Sequence, residues 1–559
     1  MSAKHAKANK PTAENQAAQA PAAGPAEAAP TPAAGPADAH RAPEPGFEGF
    51  AGSVAEQGSA PVPDVQEGMV VGKGSAPVGQ DPRQPGRDAK VSRMGTDSIP
   101  RLITEFAIPS IVGMVVNGAY NIIDSIFLGQ SIGYIGQATM TAANPIMIVF
   151  MAIAMLIGNG GNAPSALRLG QGDRNGAERS LGNTFVLSVI ISAVVAAAAF
   201  SPAIETLLAL SSATPEVWDG ARSFIQILSA GFIMQCVGMG INNFIRTAGA
   251  PIRALVTMVV GTIVCVVFNY ILVMRLGMGV VGSAYATLAG QAASCVLVLW
   301  YFVFTKNVPL KLHFRYMPLE LRTVRMIFSL GLASFAIQVG AALLNFVLNH
   351  LLVVYGAQTA LGADAALASI GVVQRIGMFT VFPLIGVAVA IQPLLGYNFG
   401  AKLYGRVRTI LLEGIAGATI ISVVMWAMVH IFPAQIVNLF GLTDPTLHDF
   451  TIFVLKVQLF MLPFVGFQIV AANYFQATGQ PAKSIFLTLT RQILFLIPLM
   501  YVLPELLPLW FSGMSGLDGL VFAMPVADFL AIFTTLVFFI WELRRIKRLE
   551  RGELVVGEF

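Results

Sequence analysis

From Leu102 onward the chain is divided into apolar blocks, each close to the ~20 residues that a ~30 Å hydrocarbon core requires. Inside a bilayer every backbone N–H and C=O must be satisfied within its own segment, so such blocks can only be helices. They run over residues 102–128, 139–163, 181–201, 217–242, 252–274, 280–304, 324–354, 366–393, 408–431, 447–473, 484–504 and 518–541. The expected fold is an all-α integral membrane protein with twelve transmembrane helices. Composition agrees, with 55% hydrophobic and 11% charged residues, where soluble domains carry about 25% charged. The net charge of +4 is too small for a nucleic-acid footprint, so membrane lipid is the expected surrounding and no nucleic-acid partner is expected. Cys236, Cys265 and Cys295 lie inside apolar blocks and suggest neither a disulfide framework nor a metal site.

Residues 1–93 are rich in Ala, Pro and Gly without a sustained apolar period. That composition cannot offset chain entropy, and a disordered cytoplasmic tail is expected. No apolar core of a secretory signal follows the first lysines. Basic residues set the orientation, because cytoplasmic loops are enriched in Lys and Arg. Arg168, Arg174 and Arg179, then Arg246 and Arg253, then Lys306 to Arg325, then Lys402, Arg406 and Arg408, then Lys483 fall on alternate connections, and residues 544–559 form a basic tail. Both termini are therefore expected in the cytoplasm of a multi-pass protein of the plasma (inner) membrane.

The chain also repeats itself. A shift of 230 residues lays NNFIRTAGAP (242–251) on ANYFQATGQP (472–481) and Gly170 on Gly400. Two six-helix lobes are expected, 94–304 and 324–543, joined by a basic linker at 305–323. Six helices per lobe keep both lobes in one orientation, related by a pseudo-two-fold axis along the membrane normal. Parallel repeats of this kind occur in secondary transporters.

Helix 1 carries one acid deep in its apolar run, Asp124. At 3.6 residues per turn Gly113, Asn117, Tyr120, Asn121 and Asp124 share one side of the helix. An ionisable group at membrane depth costs at least ~2.5–3.5 kcal/mol and is kept where it lines a cavity, pairs or carries ions. Asp124 thus reads as a proton or cation site, the alternative being an interfacial carboxylate at a helix end. Elsewhere, Asn345 and Asn349 in helix 7 could line the second lobe or act as interhelical glue. Gln374 and Arg375 in helix 8, Arg491 in helix 11 and Asp528 in helix 12 could pair internally or contact substrate.

YNIIDSIFLG in helix 1, RLGQGDRNGAERS after helix 2, RTAGAP after helix 4, GSAYAT in helix 6 and VVQRIGMFTVFPLIGVAVAIQPLLGYNFGAK in helix 8 together resemble the multidrug and toxic compound extrusion (MATE) transporters, in the branch that includes the DinF-like proteins. The resemblance covers about residues 95–545. It implies twelve helices in two bundles forming a V, and export of cationic, often aromatic compounds in exchange for protons or sodium. It also implies that Asp124 is the key acid of helix 1, with Tyr120 beside it and Asn117 where relatives often carry Gln, and that Pro109 is the kinking proline of that helix. A first-turn proline without a switching role is the alternative for Pro109. The family's helix 5 often carries an Asn and, four residues on, an Asp; here these positions are Cys265 and Asn269. Its helix 4 Tyr position corresponds to Phe224, expected to line the substrate cavity, while Asn242 and Thr287 match other polar positions.

A lone carboxylate among Asn, Tyr and Thr, partly desolvated, disfavours its charged form and can load a proton on one side and release it on the other. The expected function is secondary active efflux of organic cations or amphipathic compounds by alternating access, driven by protons, with sodium as the other coupling ion. The expected unit is a monomer without a cofactor, the ion gradient being the energy source. A flippase for lipid-linked precursors, known in a related branch, is the alternative. A membrane enzyme would need clustered acids or histidines, but the six histidines are scattered, and no GxxxxGK[ST] phosphate loop is present.

Overall fold

The computed structural model describes residues 85–132, 134–210, 215–305, 308–359, 361–438, 440, 445–511 and 513–554; the side chains of residues 85–90, 119–126, 128–132, 134–138, 140–142, 203, 207, 209, 210, 215–217, 363 and 364 lie outside the description. All belong to one compact unit, Gly74–Phe559. Ten helices are long and apolar enough to cross a membrane, and two bent pairs pass the same test, giving twelve spans when each pair counts once. In chain order these are α1 Ile99–Ile132, α2 Tyr134–Gly170, α3 Arg174–Ala199, α4 Pro215–Ala230 with Phe232–Thr247, α5 Pro251–Arg275 and α6 Gly279–Phe304. The second half follows with α7 Leu321–Gly356, α8 Ala363–Gly400, α9 Tyr404–Ile431, α10 Pro445–Gln458 with Leu462–Ala477, α11 Pro481–Trp510 and α12 Gly516–Glu550.

Local chemistry sets many of these ends. Asp173 caps α3 by accepting from the Gly176 N–H at 2.8 Å, and Ser515 with Asp518 forms a capping box at the start of α12. Pro251 and Pro481 open α5 and α11, where a missing N–H costs nothing.

Three boundaries differ from the sequence expectation. The expected disordered tail lies outside the described residues up to 84, but its last stretch is a helix, Pro85–Thr96, whose Val91 and Met94 are buried. The basic tail expected from residue 544 begins as a continuation of α12. The blocks 217–242 and 447–473, read as straight helices, are bent by 60° and 46°.

The 230-residue offset persists in the backbone. It lays Gly231, at the break in α4, on Met461, at the break in α10. It lays Gly249 (φ 76°) on Gly479 (φ 76°), and Gly172 (φ 79°) on Lys402 (φ 59°). The N–H groups of Gly172 and Asp173 donate to the carbonyls of Leu169 and Arg168, and those of Lys402 and Leu403 donate to Phe399 and Asn398. Both turns are the same left-handed helix stop, which glycine enters freely. Lys402 is the one non-glycine residue in that region among the described residues. Lys402→Gly is expected to stabilise the protein by about 1 kcal/mol, read as a higher apparent melting temperature in detergent.

The two halves meet most closely at the end that carries Arg168, Arg174 and Arg406, called here the basic end. A methyl group on Gly170 would overlap the carbonyl of Tyr397, and one on Gly400 would overlap the carbonyl of Leu167. Residues 167 and 397 are also 230 apart, so the contact is reciprocal, as an approximate two-fold axis between the lobes requires. Gly160 and Gly331 approach the carbonyls of Ile327 and Leu156 in the same manner. Small residues let membrane helices touch backbone to backbone. A hydrophobic cluster at this end joins Met94, Leu102, Phe106 and Leu167 to Leu394, Tyr397, Tyr474 and Ile546.

The segment between α6 and α7 is tied down along its described length. The Asn183 side chain on α3 donates to the carbonyls of Tyr316 (3.3 Å) and Pro318 (3.1 Å) and accepts from the Glu320 N–H at 2.9 Å. The Thr323 hydroxyl and Arg179 hold the Glu320 carboxyl below its usual range.

Candidate functional site

α1 continues as a helix past Pro109 and through Asp124. Pro109 is well beyond the first turn, so its missing N–H leaves the Glu105 carbonyl without its i to i−4 partner. The side chains of Tyr120, Asn121 and Asp124 lie outside the described residues. Asn117 is half-buried on α1, Asn269 is buried on α5 and Thr287 is half-buried on α6. Asn269 Nδ2 points at Cys265 Sγ, 3.8 Å away. α5 and α6 touch where Gly290 faces Cys265 and Gly261 faces Ser294, and Ser294 Oγ donates to the Thr257 carbonyl at 2.9 Å.

Asn242 does not join Asn269, contrary to the sequence expectation. Its amide donates to the Ala254 carbonyl (3.2 Å) and to Thr257 Oγ1. Thr257 is twelve residues before Asn269 on the same helix, roughly 18 Å away along its axis. Asn242 belongs instead to a polar chain centred on Arg246.

Arg246, placed by the sequence reading in a basic connection, is only 2% exposed. No carboxylate faces it among the described residues. Its guanidinium donates to Asn243 Oδ1 (2.6 Å), Asn242 Oδ1 (3.3 Å) and Ser110 Oγ (3.2 Å), the last directly after Pro109. Asn243 Nδ2 donates to Asn159 Oδ1 on α2 at 2.8 Å, and Asn159 Nδ2 donates to Ser334 Oγ on α7 at 3.0 Å. Gln476 Nε2 on α10 donates to the same hydroxyl at 2.9 Å and to the Leu330 carbonyl at 3.0 Å. One chain of hydrogen bonds thus runs from α1 and α4 through α2 to α7 and α10, across both lobes. A buried cation surrounded by neutral acceptors is satisfied only while all of them stay in place. Sequence reading missed Asn159, Ser334 and Gln476. The signal available was the repeat, which places Arg246 on Gln476, since interior positions that stay polar in both halves have partners to meet.

In the second lobe Arg491 Nε donates to Asp528 Oδ1 at 2.6 Å, with the side chains 27% and 4% exposed. This is the internal pairing weighed from sequence, and Arg491 lies in a π-helical stretch, Thr490–Leu496. Asp528→Asn should destabilise the protein by about 2–3 kcal/mol. That is below the ~3–5 kcal/mol of a sealed pair because Arg491 keeps some access to water. Replacing both residues by Leu should cost less than the single change, read by apparent melting temperature. Asn345, Asn349 and Arg375 are exposed and Gln374 is half-buried; Asn345 Nδ2 returns to the Ala341 carbonyl of its own helix at 2.9 Å. Phe224 is 3% exposed and packs against Leu228 and Phe232 in the first-lobe core, so it lines no open cavity in this conformation.

Comparison with known proteins follows the same division into halves. The sequence profile described as MatE matches residues 109–271 and 332–502, one stretch in each lobe and together more than half of the chain. The multidrug export protein MepA of Staphylococcus haemolyticus (strain JCSC1435) is 24% identical over 482 residues, spanning 84% of this chain and 100% of that protein. The MATE multidrug transporter DinF-BH, solved in complex with a rhodamine dye, is 31% identical with a TM-score of 0.73, covering 81% of this chain and 97% of its own. A MATE family transporter of the MOP superfamily, solved in an outward-facing conformation, shares the fold at a TM-score of 0.75 and 24% identity, covering 83% of this chain and 99% of its own. The twelve spans, the reciprocal glycine contact between halves and the match in each half lead to one assignment: this chain belongs to the MATE family of transporters.

Proposed function

We propose that the protein exports organic cations or amphipathic compounds from the cytoplasm in exchange for protons, by alternating access between its two lobes. The reading is carried by the reciprocal contact of Gly170 and Gly400, which closes the lobes at one end on an approximate two-fold axis. Two rigid lobes hinged about such an axis can expose a central site to either side in turn. The relatives named for multidrug export, and the dye bound to DinF-BH, motivate the substrate class; the identity to DinF-BH also favours the DinF-like branch. Asp124 is the proton carrier, with Tyr120, Asn121, Asn117, Asn269 and Thr287 as its polar surroundings. The lobe offers Asn269 where many relatives carry a second acid, and sodium favours several oxygens around more than one negative charge. The basic end faces the cytoplasm of the inner membrane with both termini, the protein acts as a monomer, and no cofactor other than the ion gradient is needed.

The test is transport of a cationic rhodamine dye by the purified protein in liposomes under separately imposed gradients. Efflux should follow the pH gradient, persist without sodium, and stop when the pH gradient is collapsed. Uptake driven by a sodium gradient alone would refute proton coupling, and no movement of any cation tested would refute the substrate class.

A further inference from the structure

At the basic end a notch of about 280 Å³ opens on the seam between the lobes. Leu167 at the end of α2, Met326 and Leu330 on α7, and Pro481 at the start of α11 form an apolar floor, and Arg322 and Arg325 form its rim. These arginines, three apart on the first turns of α7, share one side of the helix. Both are exposed, and neither forms an ion pair among the described residues. More positive charge stands behind them, because Arg168 lies within electrostatic range of both Arg322 and Arg179. The nearby carboxylate, Glu320, is already engaged by Arg179 at 3.1 Å and by the Thr323 hydroxyl at 2.8 Å. Beside the rim Leu321 is 84% and Phe314 87% exposed. Large apolar side chains held out of the fold next to unpaired arginines are what a segment at the level of lipid head groups presents.

We propose that this notch is a binding site for an anionic glycerophospholipid. Arg322 and Arg325 take the phosphate, and the upper part of one acyl chain lies on Leu167, Met326, Leu330 and Pro481. Guanidinium groups match a phosphate in geometry as well as charge, and basic pockets between membrane helices favour anionic head groups. Leu167 belongs to the first lobe and the other lining residues to the second, so the lipid bridges the seam while the basic end is closed. The inference rests on membrane insertion, not on the nature of the exported compound or the coupling ion.

Native mass spectrometry of the full-length protein, titrated separately with phosphatidylglycerol and phosphatidylcholine, tests it without any transport assay. Wild-type protein should retain phosphatidylglycerol in preference to phosphatidylcholine. Arg322→Gln/Arg325→Gln should weaken that binding roughly 30-fold, about 5-fold for each cation, while Lys547→Gln at the exposed end of α12 leaves it unchanged. Met326→Trp, which fills the apolar floor and keeps both cations, should also weaken it. Equal binding by wild type and the double variant, or an equal loss in Lys547→Gln, would overturn the site. Inorganic phosphate displacing the lipid at equal concentration would show a small-anion site and overturn the lipid assignment.

Discussion

Asp124→Asn should remove export of the rhodamine dye driven by a pH gradient, with a fall of up to ~150-fold, the upper range of an ordinary coupling free energy, while the protein still folds and binds substrate. Asparagine keeps the shape of the side chain and most of its hydrogen-bonding capacity but cannot exchange a proton. The backbone of α1 is helical on both sides of the position, so the change introduces no break. A transporter whose carrier no longer titrates gains nothing from a pH difference, because an equilibrium shifts only through a ligand that binds its two states unequally. Binding of the dye to the purified variant, measured by fluorescence polarisation, should stay within a few-fold of wild type. Export that continues at the wild-type rate would place coupling at another group, and Asp528, already paired with Arg491, would be the next carboxylate to examine.

How much of this could be read from the sequence follows from which physical quantity each feature depends on. The spans and the basic end rest on transfer free energy and on the placement of Lys and Arg, which are sums over residues and need no partner. The repeat was legible because NNFIRTAGAP and ANYFQATGQP keep the same turn, and the left-handed glycines at 249 and 479 show why. The bends in α4 and α10 were not legible. Hydropathy measures how apolar a block is and says nothing of the direction of its axis, and neither Gly231 nor Met461 is a strong breaker. Arg246 was misread for a related reason. An arginine at the end of an apolar block counts as a loop cation until the tertiary fold brings Ser110, Asn242 and Asn243 around it. Asn242 was grouped with Asn269 by likeness to relatives, whereas its partners on the first turns of α5 fix it at the basic end.

Gly400→Ala and Gly170→Ala should each force the lobes apart at the basic end and shift the conformational equilibrium by about 1–3 kcal/mol, the ordinary cost of overpacking. In a free helix the same change would be favourable by up to ~1 kcal/mol, since alanine is the better helix former. The sign is reversed here because the added methyl meets a main-chain carbonyl of the opposite lobe, Leu167 for Gly400 and Tyr397 for Gly170, and a carbonyl inside a helix cannot swing away as a side chain can. The strain can be relieved only by separating α2 from α8, which is the motion that opens this end. A shift of that size raises the ratio of open to closed molecules about 5- to 150-fold. Spin labels on the exposed residues Gln171 and Lys402 should therefore report longer distances in either variant. The double variant should add less than the sum of the two, because both methyl groups strain one contact. Gly417→Ala on α9, where an added methyl meets nothing within 4 Å, is the control and should leave the distances unchanged. Distances that stay at the wild-type value in Gly400→Ala, with transport intact, would mean that this contact is not what holds the lobes together, and the polar chain through Asn159, Ser334 and Gln476 would have to carry the closure alone.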